Sequence, residues 1–454
     1  MRRFFCLVVL LVLHAAGNGA TIRVPGDYPT IQGAIDAAVN YDVVLVSPGT
    51  YIENLVINSK EITLKSELGA LATVVDGGVP VNPDHAAVVE IVTADSTRVE
   101  GFTLANGKGV NVSGSHRGGG AFCTASSLVG ISDCIIKDNI VTGLGGGVYC
   151  SDGVVSFNRC QISGNYAGTD GGGAAIYWYG EAHFHHCMIF ENTAVARGGG
   201  AYCRFSTLGS FNNCTFHENI AATGGGLMTD FLANLTLIND IFWANAPQQI
   251  YVGDDKGASV VNIQYSDVQG GQSGAFVAPN ASFTWGAGMI DADPLFYDPN
   301  VSDDYHITYL SPCREVGKII GTQLIDFEGD WGYYGVGWDI GADEFHERLY
   351  HYHPVMAGLP ALIFVVGTPS APVTLALGAG IQDPPLTTAY GNFFLQFPLR
   401  RFQIGTIPAN GILAITPTTP PFWQSGDIKP IQALVGPIGN PSSLLTNLDL
   451  LIVQ

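Results

Sequence analysis

Charge is scarce in this chain, and positive charge most of all. Of 454 residues only 13% are charged, with 19 Lys and Arg against 39 Asp and Glu, a formal net charge of −20. Nucleic acids and anionic lipids are held mainly through Lys and Arg, so neither is an expected partner. A polyanionic sugar chain is disfavoured for the same reason unless a cation intervenes. Long apolar runs are missing too. After the first residues, no segment reaches about 18 uninterrupted apolar residues, so no transmembrane segment is expected. There is no CxxC pair, which argues against a compact zinc site. No sorting motif of the LPxTG kind is present.

What is abundant is glycine, with 58 residues, alongside 24 prolines and a hydrophobic fraction of 47%. This profile fits a β-rich protein with many turns and excludes both a helical bundle and a disordered chain. The length allows two or three domains. The opening "MRRFFCLVVLLVLHAAGNGA" has a basic start, an apolar run and a small-residue end. It reads as a secretory signal peptide over residues 1–20, cut between Ala16 and Thr21. Its apolar core of roughly 12 residues is too short for a membrane anchor. Cys6 lies inside that run, so no lipoprotein cleavage box is expected. The expected location is therefore extracytoplasmic, secreted or at the cell surface.

Triple glycines begin at Gly118, Gly145, Gly171, Gly198 and Gly224, at steps of 27, 26, 27 and 26. Other columns keep this period. One runs Cys123, Cys150, Ile176, Cys203, Thr229. A second runs Cys134, Cys160, Cys187, Cys214, Asp240. Phe157, Phe184 and Phe211 belong to a third. Asparagine alone fills a fourth: Asn139, Asn165, Asn192, Asn219 and Asn245. Fixed-period self-similarity marks a solenoid. Short β-branched and aromatic runs divided by turn residues, as in "VVSFNRC" and "SFNNCTF", exclude helical repeats. The expectation is an all-β, right-handed parallel β-helix with one coil per repeat. Equivalent residues then stack about 4.8 Å apart. Apolar columns fill the core, the asparagines form an amide ladder, and the glycines sit at crowded corners. The cysteine columns admit two readings, buried thiols acting as small hydrophobes or bridges between coils, and an exported protein permits the latter.

The β-helix is expected over 21–345. A short amphipathic helix from Thr30 to Val39 caps its first coil, with Ile31, Ala34, Ile35 and Ala38 on one face. Residues 355–454, rich in Pro, Leu and Ile, carry strand-like runs such as "APVTLALG" and "NLDLLIVQ". They read as a small C-terminal β-sandwich.

The stretches "YPTIQGAIDAA", "PGTYIEN" and "VEGFTLANG" resemble the opening of many secreted right-handed β-helix proteins of the pectate-lyase-like fold. The repeat, with its triple glycine, its cysteines and its spaced asparagine, is similar to the GGA-and-FxxN repeat of polymorphic outer-membrane proteins. The ending "DPLF … YHIT … SPC … DIGADE" resembles secreted bacterial β-helix proteins with a choice-of-anchor segment. These resemblances cover roughly 22–345 and imply a fold more than a chemistry. "GTYIEN" also resembles an early motif of pectin methylesterases. That family's catalytic carboxylates lie in QDT-like and DFIFG-like motifs, and neither is found here. The match is read as a shared structural turn. Pectate lyases of this fold use clustered acids, calcium and an Arg or Lys base. The five clear repeats contain only Lys137, Arg159, Arg197 and Arg204 as Lys or Arg, with no lyase motif around them.

Alternation along the strands puts Tyr149, Tyr177, Tyr202, Arg204 and Asp230 on an outer face, with Trp178 and Phe205 one residue further, at a corner. Stacked aromatics beside hydrogen-bonding groups suit a saccharide lying along the axis. The bland alternative is a solvated face with ordinary cross-coil pairing. Asp152 and Asp230 are three coils apart, roughly 14 Å by strand spacing, too far to act as a glycosidase pair. Asp170 is expected in a turn. In "HFHH" only His183 and His185 share a face, so a polar surface is a better reading than a metal cluster. Asp326, Glu328 and Asp330 in "DFEGD" could hold calcium, or form a simple acidic turn. The resulting expectation is an exported, non-catalytic module binding glycans or proteins. The alternative is a polysaccharide lyase or glycoside hydrolase.

Overall fold

In a computed structural model, one coil follows another as a right-handed parallel β-helix. The structure describes residues 19–344 apart from 126–127, 299–303, 309, 321–325 and 328–336, and the backbone of strands beyond 344. The expected signal peptide lies almost wholly outside the described residues, and Glu328 and Asp330 lie wholly outside them.

Three parallel sheets run the length of the solenoid. An eleven-stranded long face extends from Thr21–Val24 to Ser282–Trp285. A nine-stranded second face extends from Gly49–Ile52 to Asp267–Val268. A nine-stranded glycine face, so called because the triple glycines lead into it, extends from Leu55–Asn58 to Ala275–Val277. Register follows the sequence period. Cys123 pairs with Cys150, Cys150 with Ile176, and Ile176 with Cys203. Phe157, Phe184 and Phe211 pile up inside with centroids 4.6 Å apart at each step and planes within 9° and 11°. All three are buried, and each such ring removed from water stabilises the coil by roughly 1.5–3 kcal/mol.

The asparagines form a single file. Asn139, Asn165, Asn192 and Asn219 each donate from Nδ2 to Oδ1 of the next asparagine, at 2.9, 2.9, 3.0 and 2.8 Å. Each Nδ2 also donates to a main-chain carbonyl of the preceding coil, such as Ile162 O for Asn192. Each acceptor oxygen also takes the main-chain N–H of the preceding asparagine. The file ends when Asn245 donates to Gln249 Oε1 at 2.7 Å. A buried amide is tolerated here because donors and acceptor are all engaged.

The triple glycines answer two constraints. The first of each has positive φ, 62–69° from Gly118 to Gly224. A Cβ on Gly172 or Gly173 would collide with the carbonyl oxygens of Gly199 and Gly200 in the next coil. The eight cysteines of the described chain are buried free thiols. In the second column Cys160, Cys187 and Cys214 donate to carbonyls one coil back, at 3.4, 3.6 and 3.5 Å.

The capping helix spans Ile31–Ala37, shorter than the sequence suggested. Thr30 caps it by accepting from Gly33 N. Glu53 of "GTYIEN" reaches from the next coil, its carboxylate accepting from Ile31 N and Gln32 N at 2.9 Å each. Lys60 closes the other end, donating to the carbonyls of Ile35, Asp36 and Ala38. The GTYIEN segment thus has a structural task here. Beyond 344, the described strands pair antiparallel in groups such as Pro372–Leu377 between Arg400–Thr406 and Ile428–Val435. This agrees with an antiparallel β segment after the solenoid.

Candidate functional site

The glycine face turns into the long face at a corner with two successive left-handed residues in each of three coils. These are Trp178–Tyr179 (φ 48° and 59°), Phe205–Ser206 (67° and 59°) and Phe231–Leu232 (51° and 66°). Left-handed backbone costs a residue with a Cβ about 1–2 kcal/mol. The corner throws the aromatic side chains outward. Trp178 lies flat on Phe205, with centroids 4.0 Å apart and planes within 2°. Phe205 in turn meets Phe231 at 4.7 Å. Trp178 is 45% exposed and Tyr179 72% exposed. The Arg204 guanidinium sits 4.6 Å from the Phe205 ring and donates to Asp255 at 3.2 Å.

The rest of the expected aromatic face differs. Tyr149, Tyr177, Tyr202 and Asp230 point away from the core as the alternation requires, yet all four are buried, not solvent-facing. The three tyrosines belong to a second apolar cluster outside the glycine face, with Val110, Phe122 and Met228. A hairpin of Gly109–Val112 and Ser115–Arg117 contributes to it, and period analysis gave no sign of this cover. Arg117 donates to the Tyr149 hydroxyl at 3.1 Å. Tyr177 donates to Asp170 Oδ2 at 3.2 Å, and Tyr202 to Asp230 Oδ2 at 3.4 Å. Arg197 donates to the Tyr202 oxygen at 3.2 Å. Burial holds the Tyr177 and Tyr202 hydroxyls protonated and raises the Asp170 and Asp230 carboxyls, with the nearby arginines pulling the other way. Asp170, expected in a turn, bridges to Arg197 of the next coil and is buried.

Immediately past the aromatic corner, the long face carries a half-buried polar surface. Ser156, His183 and Ser210 lie in register on successive coils, as do Asn158, His185 and Asn212. His183 places Nδ1 2.9 Å from Ser210 Oγ and Nε2 3.0 Å from Glu181 Oε1. Asn212 donates from Nδ2 to Ser210 Oγ at 3.3 Å. Burial, then the neighbouring His186 and His183, lowers His185 to about 4. His186 turns away and packs against Trp338. Among the described residues no group of three or more His, Cys, Asp or Glu is placed to hold a metal ion. Asp326, weighed as a calcium ligand or part of an acidic turn, is fully buried. The sequence pattern sets His183 on a polar surface in preference to a metal cluster and gives it no serine partner. Its bond to Ser210, 27 residues on, follows from the period once the outward strand positions are known.

A family model described as right-handed β-helix region matches residues 147–285. No curated protein matches the chain. Among solved structures, pectin methylesterase PemA from Erwinia chrysanthemi is similar at 13% identity and a TM-score of 0.37, covering 60% of this chain and 94% of that one. A pectin methylesterase from Yersinia enterocolitica is similar at 16% identity and a TM-score of 0.35, over 61% and 99%. The enzymatically active domain of tailspike protein 4 from bacteriophage CBA120 is similar at 11% identity and a TM-score of 0.26, over 93% and 65%. Likeness at this level carries no argument about chemistry, so function has to be read from the residues of this chain.

Proposed function

We propose that this is an exported protein, secreted or held at the cell surface, that binds a polysaccharide or cell-surface glycan at the Trp178–Phe205–Phe231 corner. The observation that carries the reading is the flat, 45% exposed Trp178 ring stacked on Phe205. The left-handed backbone itself is a feature of the coil, recurring at Ser59, Thr93, Ala125 and Asp152 after the preceding strands of the glycine face, so it is the exposed ring and not its conformation that points to a ligand. The ring face meets the apolar face of a sugar. Tyr179, Arg204 and Asp255 flank it with hydroxyl, cation and carboxylate groups that read sugar hydroxyls. Tyr149, Tyr177, Tyr202 and Asp230 support the corner from beneath. The chain's acidity favours a neutral glycan over a polyanion. The test is retention on a glycan array and on insoluble polysaccharides. Wild type should be retained, and Trp178→Ala should lose about tenfold or more in affinity. Equal retention of both proteins, or none by wild type across neutral glycans, would refute the assignment.

A further inference from the structure

A hydrogen-bonded serine, histidine and glutamate stand in line on the long face, outside the binding corner and unused by it. Glu181 and His183 are two residues apart on one strand, so they share its outer side. Ser210 is the register partner of His183 on the next coil. The spacings, 2.9 Å from Ser210 Oγ to His183 Nδ1 and 3.0 Å from Nε2 to Glu181 Oε1, are hydrogen-bonding distances at both links. A carboxylate on Nε2 holds the proton there and leaves the Nδ1 lone pair facing the serine. That is the tautomer a general base needs. The His183 and Glu181 side chains are 33% and 39% exposed, so the line is open to a substrate.

A fourth residue supplies a donor. Asn212 is 8% exposed, and its Nδ2 reaches Ser210 Oγ at 3.3 Å. Its Oδ1 is buried with no hydrogen-bond partner. A buried amide with one end unpaired, beside a serine that already bonds a histidine, is costly unless a ligand completes it.

We propose that Ser210, His183, Glu181 and Asn212 form a serine-nucleophile centre that hydrolyses O-acyl esters, such as acetyl groups carried on sugar hydroxyls. Ser210 Oγ attacks the ester carbonyl carbon while its proton passes to His183 Nδ1. Glu181 orients the imidazole and balances the charge it gains. Asn212 Nδ2 donates to the carbonyl oxygen as it becomes an oxyanion. The bond to the alcohol oxygen breaks, and that oxygen leaves with the proton from His183. Water then attacks the acyl-serine and gives its proton to His183. The carboxylic acid departs as that proton returns to Ser210 Oγ. No oxidant, metal or cofactor is required. The ester chemistry stands on these four residues alone. The sugar as acyl carrier rests on the saccharide reading, because Trp178–Tyr179 leads into the strand that bears Glu181 and His183.

The test uses the full chain and two probes. A fluorophosphonate should label Ser210, located by peptide mass spectrometry, and p-nitrophenyl acetate should be turned over. Ser210→Ala should abolish labelling. Ser210→Ala and His183→Ala should each lower turnover roughly 1,000-fold, and Asn212→Ala roughly 100-fold. Ser156→Ala, the outward serine on the other side of His183, should be labelled and turn over like wild type. Circular dichroism and the unfolding midpoint check that each variant is folded. A folded wild type that is neither labelled nor faster than Ser210→Ala overturns the proposal, as does labelling at another residue. Turnover of p-nitrophenyl acetate without retention on any glycan would sink the saccharide reading and leave the centre standing. Glycan retention without labelling or turnover would do the reverse.

Discussion

Two files of side chains climb this solenoid one rung per coil, and they are held in opposite ways. The asparagines from Asn139 to Asn245 are buried, with every donor and acceptor of the inner amides engaged. The aromatics Trp178, Phe205 and Phe231 stand at a solvent-facing corner on left-handed backbone. Both arise from the same period. The difference lies in what flanks them: sheets close over the first, whereas the second is left uncovered. A buried polar stack exists for stability, because any unpaired amide inside would be penalised. The outer stack, with Trp178 exposed and Phe205 and Phe231 only partly buried, has less to lose in stability from the removal of its outermost ring.

Breaking the inner file should have the largest effect. Asn192→Ala leaves Asn165 N without its partner, removes the bond to Ile162 O, and takes one of two bonds each from Asn165 Nδ2 and Asn219 Oδ1. With about 1–3 kcal/mol for the stranded N–H and about 0.5–1.5 kcal/mol for each other bond lost, the loss should be on the order of 4 kcal/mol. Urea unfolding measures it, and a loss under about 1 kcal/mol would mean the ladder is ornamental. Next comes pH. Burial raises Asp267 to about 7 and pushes Asp240, at the end of a cysteine column, well above the usual carboxylate range. The folded state therefore binds protons that the unfolded chain has released. The contribution of these two carboxyls is full below about pH 4 and falls as pH rises towards 7, opposed by His185 and His217, which burial lowers to about 4 and which favour the folded state as pH rises. Asp267→Asn should flatten that slope in urea titrations at pH 4 and 7, and an unchanged slope would contradict the assignment.

The outer file should respond much less. Trp178→Gly removes a side chain from φ 48° and also removes its contact with Phe205. Relief of about 1–2 kcal/mol opposes lost stacking of about 0.5–1.5 kcal/mol, so stability should change by no more than about 1 kcal/mol. Glycan retention should nevertheless fall as far as in Trp178→Ala. A large drop in stability would make the ring a core residue after all. Smallest of all is the expected response to a thiol reagent. The eight buried cysteines should stay unlabelled in the native protein and react on unfolding. Rapid native labelling would show that the columns breathe.

The columns were legible because stacking is a one-dimensional rule: a residue's neighbour is its counterpart one period away. That rule predicted the asparagine file and the phenylalanine stack. It also predicted which side of the strand Tyr149, Tyr177 and Tyr202 take. It was silent on whether outward means exposed. Their burial depends on loops outside the period, including the hairpin of Gly109–Val112 and Ser115–Arg117. Similarly, "HFHH" drew attention to the histidines, but Ser210 is an ordinary serine until a strand pairing sets it beside His183.

From residue order alone came the coil, its 26–27-residue pitch in the chain and the identity of each internal stack, because a repeated sequence must place like upon like. Folding in three dimensions decided which outward side chains meet water, since the covering hairpin lies outside the repeat. It also brought Glu181, His183 and Ser210 to hydrogen-bonding distance, because rotamers and register act at fractions of an ångström that no spacing along the chain encodes.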